Sequence, residues 1–278
     1  VPHVATFHTL AKTKMRARAG EEESRERSDI ERQIMDRATG ILVLTDVERQ
    51  DIVNLYQVNG DKIQVISGGV DTDTFYQIPK KEAKDSLGFL NPNKKTILYV
   101  GRIESLKGVD LLLETAAHLD GSQDIRVLVV GGDDGRGQAV SRLKQRAKDL
   151  DIDEIVEFVG RVDQEQLPIY YNAADVCVVP SFYESFGLAA LESMACGTPV
   201  VAYRVGGLPT IIKHGRTGYL KSWRCPEAFA NSLEMMTSSN SLIKAMGQAS
   251  RERAETMGWD RVAFTLSEHY KSLAKEMA

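Results

Sequence analysis

The sequence predicts an α/β protein built on parallel sheets and divided into two units. Short Val- and Ile-rich runs of strand length alternate with longer stretches of helical periodicity along most of the chain. The alternation is interrupted once, between Phe75 and Lys95, by a polar stretch carrying Pro79, Pro92 and several lysines. At 278 residues the chain also exceeds the ~100–200 of an ordinary single domain.

The first unit, residues 1–78, opens on Val4-Ala5-Thr6-Phe7, an apolar run that predicts a buried strand. A charged stretch follows and leads into a helical stripe of Ile30, Ile34 and Ala38. Gly40 to Leu44 predicts a second strand. Asp46 is placed as the cap of a helix carrying Ile52, Val53 and Leu55, and Lys62 to Ile66 predicts a third strand. The second unit, residues 79–258, repeats the pattern with strands over 96–100, 126–130, 155–159, 176–179 and 199–203. Between them lie helices marked by Val109, Leu112, Leu113, Ala116 and Ala117, by Val140, Leu143, Ala147 and Leu150, by Leu167, Tyr170, Tyr171 and Ala174, and by the stretch 186–196. Five such strands predict a complete doubly wound sheet. Its ligands should lie beyond the carboxyl ends of the strands.

Composition narrows the function. Hydrophobic residues make up 42% and charged residues 27%, ordinary values for a folded domain. The longest apolar runs are of strand length, so no transmembrane helix is expected, while peripheral membrane contact is left open. No basic region followed by an apolar stretch opens the chain, so no signal peptide is expected. Lys plus Arg number 35 against 39 Asp plus Glu, a balance that argues against a nucleic-acid partner. Cys177, Cys196 and Cys225 are an odd set, and the first two lie in apolar surroundings that suit small buried hydrophobes better than a disulfide or metal site, which predicts a reducing, cytoplasmic setting. The five histidines show no metal-ligand spacing, and no metal is expected.

Three post-strand loops carry chemistry. Gly101-Arg102-Ile103-Glu104-Ser105-Leu106-Lys107-Gly108 brings two cations to a strand's carboxyl end. Arg102 can fork onto phosphate oxygens and Lys107 adds a point charge, so a diphosphate is the natural ligand; a solvated surface loop is the alternative. In the run from Pro180 to Glu192, Glu192 interrupts a helix of Leu, Ala, Met and Cys and needs a partner, either a ribose diol or a salt bridge. Glu184 stands before the amides of Phe186, Gly187 and Leu188, placed to hold sugar hydroxyls or simply to start the helix. Gly206-Gly207 and Gly131-Gly132 permit either a close backbone approach or a plain turn. No G-x-G-x-x-G follows an early strand and the cationic loop is not a Walker A sequence.

The Arg102/Lys107 pair, the two glutamates, the run Cys196-Gly197-Thr198-Pro199-Val200-Val201 and the Gly206-Gly207 turn occur in an order that resembles the family-4 retaining glycosyltransferases. These have the GT-B fold of two facing Rossmann-like domains. The opening segment is similar to the branch of D-inositol-3-phosphate glycosyltransferase and sucrose-phosphate synthase. The resemblance implies a complete C-terminal Rossmann-like domain, the later half of an N-terminal one lacking about one hundred residues, and a last helix over 259–278 packing back toward the first unit.

The same resemblance implies transfer of a hexosyl group, with retention, from a nucleoside diphosphate sugar to a hydroxyl acceptor that can itself be phosphorylated. A UDP-sugar is favoured, and it is a co-substrate, so no cofactor is implied. Arg102 and Lys107 would meet the diphosphate, Glu192 the ribose, Glu184 the sugar, and the backbone near Val162 the base. The amides of Phe186, Gly187 and Leu188 would support phosphate and sugar. His8 would reach the sugar from the first unit, unless it is a satisfied core histidine. Thr9 and Arg27 would hold the acceptor phosphate; alternatively, Lys12, Lys14, Arg16 and Arg18 merely balance Glu21 to Glu23 at the surface. A nucleotide-sugar-binding module without turnover, and a nucleotide-sugar epimerase, are the competing functions.

Overall fold

The computed structural model describes residues 2–17, 24–119, 124–132 and 137–276. Arg18 and Glu21 to Glu23 lie outside the described residues. Two parallel sheets organise the chain. The first has the order β1 (Val4–Thr6), β2 (Gly40–Val43), β3 (Ile63–Val65), with helices α1 (Ala11–Ala17), α2 (Arg25–Arg37) and α3 (Asp46–Tyr56). Ala5, Ile41 and Val43 of the strands bury against Met35, Ile52 and Tyr56 of the helices.

Two expectations change here. Ile30 and Ile34 are exposed, at 49% and 38%, and α2 instead turns Ser28, Glu31 and Met35 inward. Glu31 sets that rotation. Its carboxylate accepts both the Ala11 amide at the start of α1 and the Tyr56 hydroxyl at the end of α3. A buried carboxylate must be satisfied, and that requirement outweighs the burial of two isoleucines. The cap of α3 is Thr45 and not Asp46: its hydroxyl accepts the Glu48 amide at 3.1 Å, while the Glu48 carboxylate reaches back to the Leu44 amide at 2.8 Å.

The second sheet contains β4 (Lys95–Val100), β5 (Ile125–Val130), β6 (Val156–Gly160), β7 (Val176–Val179), β8 (Val200–Tyr203) and β9 (Gly218–Lys221). Its order is β6-β5-β4-β7-β8-β9, all parallel. The sixth strand, β9, extends the five-strand expectation. It is four residues long, begins with glycine and buries only alternate residues, as an edge strand does. Successive residues of the inner strands point to opposite faces. Ile97, Tyr99, Val127 and Val129 pack under α5 (Val109–Ala117), α6 (Gln138–Asp149) and α10 (Pro226–Thr237). Leu98, Leu128, Cys177 and Val179 pack under α7 (Leu167–Ala173), α8 (Leu188–Ala195) and α9 (Leu208–Ile211). Cys177 and Cys196 are buried and all three cysteines are free.

The strand order reverses between β4 and β7, which makes the crevice at their carboxyl ends the switch point where such sheets bind ligands. The chain crosses between the sheets twice, side by side. The Val70 amide donates to the Met257 carbonyl at 2.9 Å, just after α11 (Asn240–Glu255), and α12 (Trp259–Glu276) then runs back so that Leu273 lies against Gly40 of β2. Among the described residues no helix is long and apolar enough to cross a membrane, and no group of three or more His, Cys, Asp or Glu could hold a metal.

Candidate active site at the sheet switch point

A cavity of about 450 Å³ occupies the switch point and is closed on its far side by the first sheet. Arg102 and Lys107 enter it from the loop after β4, Glu184 from the loop after β7, and Phe186, Gly187 and Leu188 from the start of α8. His8 enters from the loop after β1. His8 is exposed in the cleft, so the satisfied-core alternative does not hold.

Backbone packing holds the loops in register. The Phe182 amide donates to the Leu106 carbonyl at 2.8 Å, locking the loop after β7 to the cationic loop. Gly108 has φ +69, and an added Cβ there would fall 2.1 Å from the Pro180 carbonyl oxygen. This contact brings Lys107 to Glu184: its ammonium donates to the Glu184 carboxylate at 2.8 Å, and the Ser181 hydroxyl donates to the same oxygen at 3.1 Å. Gly206 approaches the other side of the Glu184 backbone, with φ +48 and an added Cβ 1.7 Å from the Glu184 carbonyl oxygen. The Gly207 amide donates to that carbonyl at 3.0 Å. Of the two readings of this glycine pair, close approach is the one the structure adopts.

Arg102 pairs with Glu104 at 2.7 Å, and its side chain is 75% exposed. An exposed pair is worth about 0–1 kcal/mol, so the guanidinium can exchange Glu104 for a doubly charged ligand at little cost. The loop under it is fixed, because the buried Tyr99 hydroxyl donates to the Arg102 carbonyl at 2.7 Å. Burial first, and the Glu184 and Glu104 carboxylates second, push the Tyr99 phenol up, so it remains a donor. At α8 no side chain caps the helix. The Ala190 and Leu191 amides turn back to the Gly187 carbonyl at 3.0 and 3.1 Å, which leaves those of Leu188 and Ala189 outside the helical ladder at the cavity wall.

The remaining candidates lie beside this cavity. Glu192 is one turn into α8 from Leu188 and does not line it. Its partner is neither a salt bridge nor an empty space: the Tyr171 hydroxyl donates to it at 2.9 Å. Burial raises the Glu192 carboxyl above its ordinary range, and the Tyr171 hydrogen bond partly offsets the rise. Val162 lines a second cavity, of about 580 Å³, which shares Val100, Gly101 and Arg102 with the first and is bounded by Gly131 and Gly132. Thr9 and Arg27 line a third, with His8, Ile30 and Ile34 on its wall, and His8 joins it to the first. Arg27 there donates to the Thr9 carbonyl at 3.1 Å and to Glu31 at 3.0 Å, so it also shapes the His8–Thr9 loop. The neighbouring cations have α3 partners: Lys12 donates to the Leu55 carbonyl at 2.7 Å and Arg16 pairs with Asp51 at 3.2 Å.

The local sequence around the candidate residues did not reveal Ser181, Tyr99, Tyr171, Gly68 or Trp259. Ser181 stands three residues before Glu184, a spacing that could have signalled it. Tyr171 had been assigned to an apolar helix stripe. Gly68 and Trp259 come from the two crossings and reach the cavity only through the tertiary fold.

A cationic, amide-lined crevice at the switch point of one sheet, faced by the strand ends of another, defines a two-sheet α/β architecture suited to an anionic ligand. Residues 80–253 match the family described as glycosyl transferases group 1, and residues 1–74 match glycosyltransferase family 4. The chain belongs to the group 1 glycosyltransferases and has the GT-B fold. It is 38% identical over 285 residues to D-inositol 3-phosphate glycosyltransferase 2 of Catenulispora acidiphila, a match covering 100% of this chain and 66% of that protein. Among solved structures, sucrose-phosphate synthase of Thermosynechococcus elongatus superposes with a TM-score of 0.89 at 29% identity, over 98% of this chain and 68% of the other. Anabaena HepE, solved in complex with UDP and glucose, shares the fold at 20% identity with a TM-score of 0.85, over 98% and 72% of the two chains. The chain spans 66% of the length of the first of these relatives and 58% of other D-inositol 3-phosphate glycosyltransferases that it matches.

Proposed function

We propose that the chain carries the donor site of a retaining hexosyltransferase that uses a nucleoside diphosphate sugar, with UDP-sugars favoured, and a hydroxyl acceptor. The observation that carries this reading is the convergence of Arg102, Lys107, Glu184 and the free α8 amides on one cavity that His8 enters from the opposite sheet. In this reading residues 1–78 form the acceptor side, 79–258 the donor unit, and the helix from 259 packs back on the first.

The diphosphate takes Arg102, Lys107 and the Leu188 and Ala189 amides. The base occupies the adjoining cavity near Val162, and the ribose extends toward Glu192. The sugar lies between Glu184 and His8. The acceptor enters by the groove of Thr9 and Arg27, whose guanidinium suits a phosphorylated acceptor. The bond from the anomeric carbon to the diphosphate oxygen breaks, and a bond to the acceptor oxygen forms on the same face. The acceptor proton passes to the leaving phosphate. Arg102 and Lys107 stabilise the charge that grows on that phosphate, the kind of preorganised electrostatic contribution that dominates in many enzymes. Nothing in this chemistry calls for a further cofactor. The names of the relatives and the UDP and glucose of the HepE complex support the donor class.

The deciding experiment is a titration of UDP and UDP-glucose into the chain, followed by product analysis with and without acceptor. Binding with acceptor-dependent release of UDP is expected. A change in the sugar without acceptor would instead mean epimerase activity, and binding without turnover would mean that this chain is a binding module.

A further inference from the structure

A separate cavity of about 450 Å³ lies against the two crossings and shares no lining residue with the three already described. Adjacent residues divide between the two sides: Gly68 and Trp259 face the donor cavity, whereas Ser67 and Gly258 face this one. Two arginines line it, Arg253 from α11 and Arg261 from α12, and no Asp or Glu does. Arg253 gives one terminal nitrogen to the Thr210 carbonyl at 2.9 Å and the other to the Thr256 hydroxyl at 3.4 Å. Its Nε is buried without a partner. The Arg261 guanidinium has no partner among the described residues. The nearby acid Glu255 is already engaged by Arg251, at 2.7 Å. The hydroxyls of Ser67 and Thr210, which also line the cavity, make no hydrogen bond among the described residues.

Each Arg253 terminal nitrogen keeps a further N–H, and two guanidiniums facing one cavity without a carboxylate leave a concentrated positive potential. A small multivalent oxyanion meets both demands, because the planar forks of arginine match its oxygens. We propose that this cavity is an anion site for a tetrahedral oxyanion, a phosphate either free or carried on a small metabolite. The remaining terminal N–H bonds of Arg253, the Arg261 fork and the two hydroxyls hold it. Bound there, the ion links α11 to α12 across the crossings, and so stiffens the joint between the sheets on the side opposite the donor. The proposal does not depend on the reaction assigned above.

The test is calorimetric titration of inorganic phosphate into the whole chain and into three variants. Arg261→Gln should weaken phosphate binding about tenfold or more, since it removes one of the two forks. Arg253→Lys, which can still donate to the Thr210 carbonyl but lacks the second terminal nitrogen, should weaken it in the same direction. Arg216→Gln, at an exposed arginine that lines none of the four cavities, should leave it unchanged. Thermal melting without phosphate checks that each variant is folded; because Arg261 is exposed and unpartnered, Arg261→Gln should melt with the parent. A second series with glucose 6-phosphate distinguishes the sources: tighter binding than inorganic phosphate, lost in the same variants, identifies a carried phosphate, and equal binding identifies the free ion. No binding up to about 10 mM phosphate, or binding indifferent to both Arg253→Lys and Arg261→Gln, overturns the site.

Discussion

The Lys107 ammonium and the Glu184 carboxylate, 77 residues apart in sequence, are joined at 2.8 Å in the wall of the switch-point cavity. The pair is mostly shielded, with side-chain exposures of 21% and 15%, so removing either partner leaves the other's charge partly buried and uncompensated. On the proposed reading, a diphosphate arriving at Lys107 shares or displaces Glu184, and the released carboxylate is then free to accept sugar hydroxyls. Lys107→Ala should weaken UDP binding by about ten- to a hundredfold, the loss of one charge-assisted hydrogen bond. Glu184→Gln should leave UDP affinity equal or improved but lower the turnover of UDP-sugar. Calorimetry and a transfer assay on the same two variants decide the matter; equal losses of UDP affinity in both would mean that the pair merely supports the loop.

Glu192 and Tyr171 separate a ligand role from a packing role. Tyr171→Phe removes the hydrogen bond donated to a mostly buried carboxylate and should cost about 1–3 kcal/mol, read as a lower denaturation midpoint. Glu192→Gln keeps an acceptor for Tyr171 while removing the charge that burial penalises. It should therefore fold as well as or better than the parent, yet bind UDP more weakly if Glu192 takes the ribose diol. Undiminished UDP affinity in a well-folded Glu192→Gln chain would reduce this residue to a packing role.

At Gly206 any side chain collides with the backbone of Glu184. Gly206→Ala should cost about 2–4 kcal/mol through the forced shift and the positive φ together. Because the contact is with Glu184 itself, the damage should also appear in donor binding. Gly215→Ala is the matched control, since its φ is +78 but an added Cβ there meets nothing within 4 Å. Melting temperatures and UDP affinities of the two variants should diverge; equal destabilisation would attribute the whole effect to φ.

The alternation of strands and helices was legible because Val- and Ile-rich strands buried on both faces leave continuous apolar runs, as in β5 and β7. β9 escaped because Gly218-Tyr219-Leu220-Lys221 is short, half-exposed and lies on the sheet edge. The stripe of Ile30 and Ile34 was a true helical signal with the wrong face assigned. Periodicity registers which residues share a face; the Glu31 network decides which face turns inward. At the site, Arg102 and Lys107 could be placed from one loop, since charge type and a position after a strand are local facts. The Lys107–Glu184 and Tyr171–Glu192 pairs could not, because each joins residues that only the sheet order brings together. The cap of α3 was misplaced by one residue for a simpler reason: Thr45 and Asp46 are both good caps, and the carboxylate of Glu48 selects between them.

That same Glu48 gives the fold a pH dependence. Burial, reinforced by the neighbouring Asp51 carboxylate and opposed by the Leu44 amide, raises its pKa from 4.5 to about 7. Across α3 from the second unit, the Tyr183 phenol is itself pushed up, mainly by burial and then by Glu48 and Asp51, so it stays neutral and adds no further negative charge beside the carboxylate. A raised acid holds its proton more tightly in the folded than in the unfolded chain. Its contribution to stability therefore falls as pH rises from about 4.5 to about 7 and stays low above that. Glu48→Gln keeps an oxygen for the Leu44 amide and cannot ionise. At pH 8 it should stabilise the chain by up to about 3 kcal/mol, and below about pH 5 the advantage should disappear. Urea denaturation of parent and variant at pH 5 and pH 8 measures the difference. A variant equally destabilised at both values would show that the carboxylate, charged or not, is needed for the capping geometry itself.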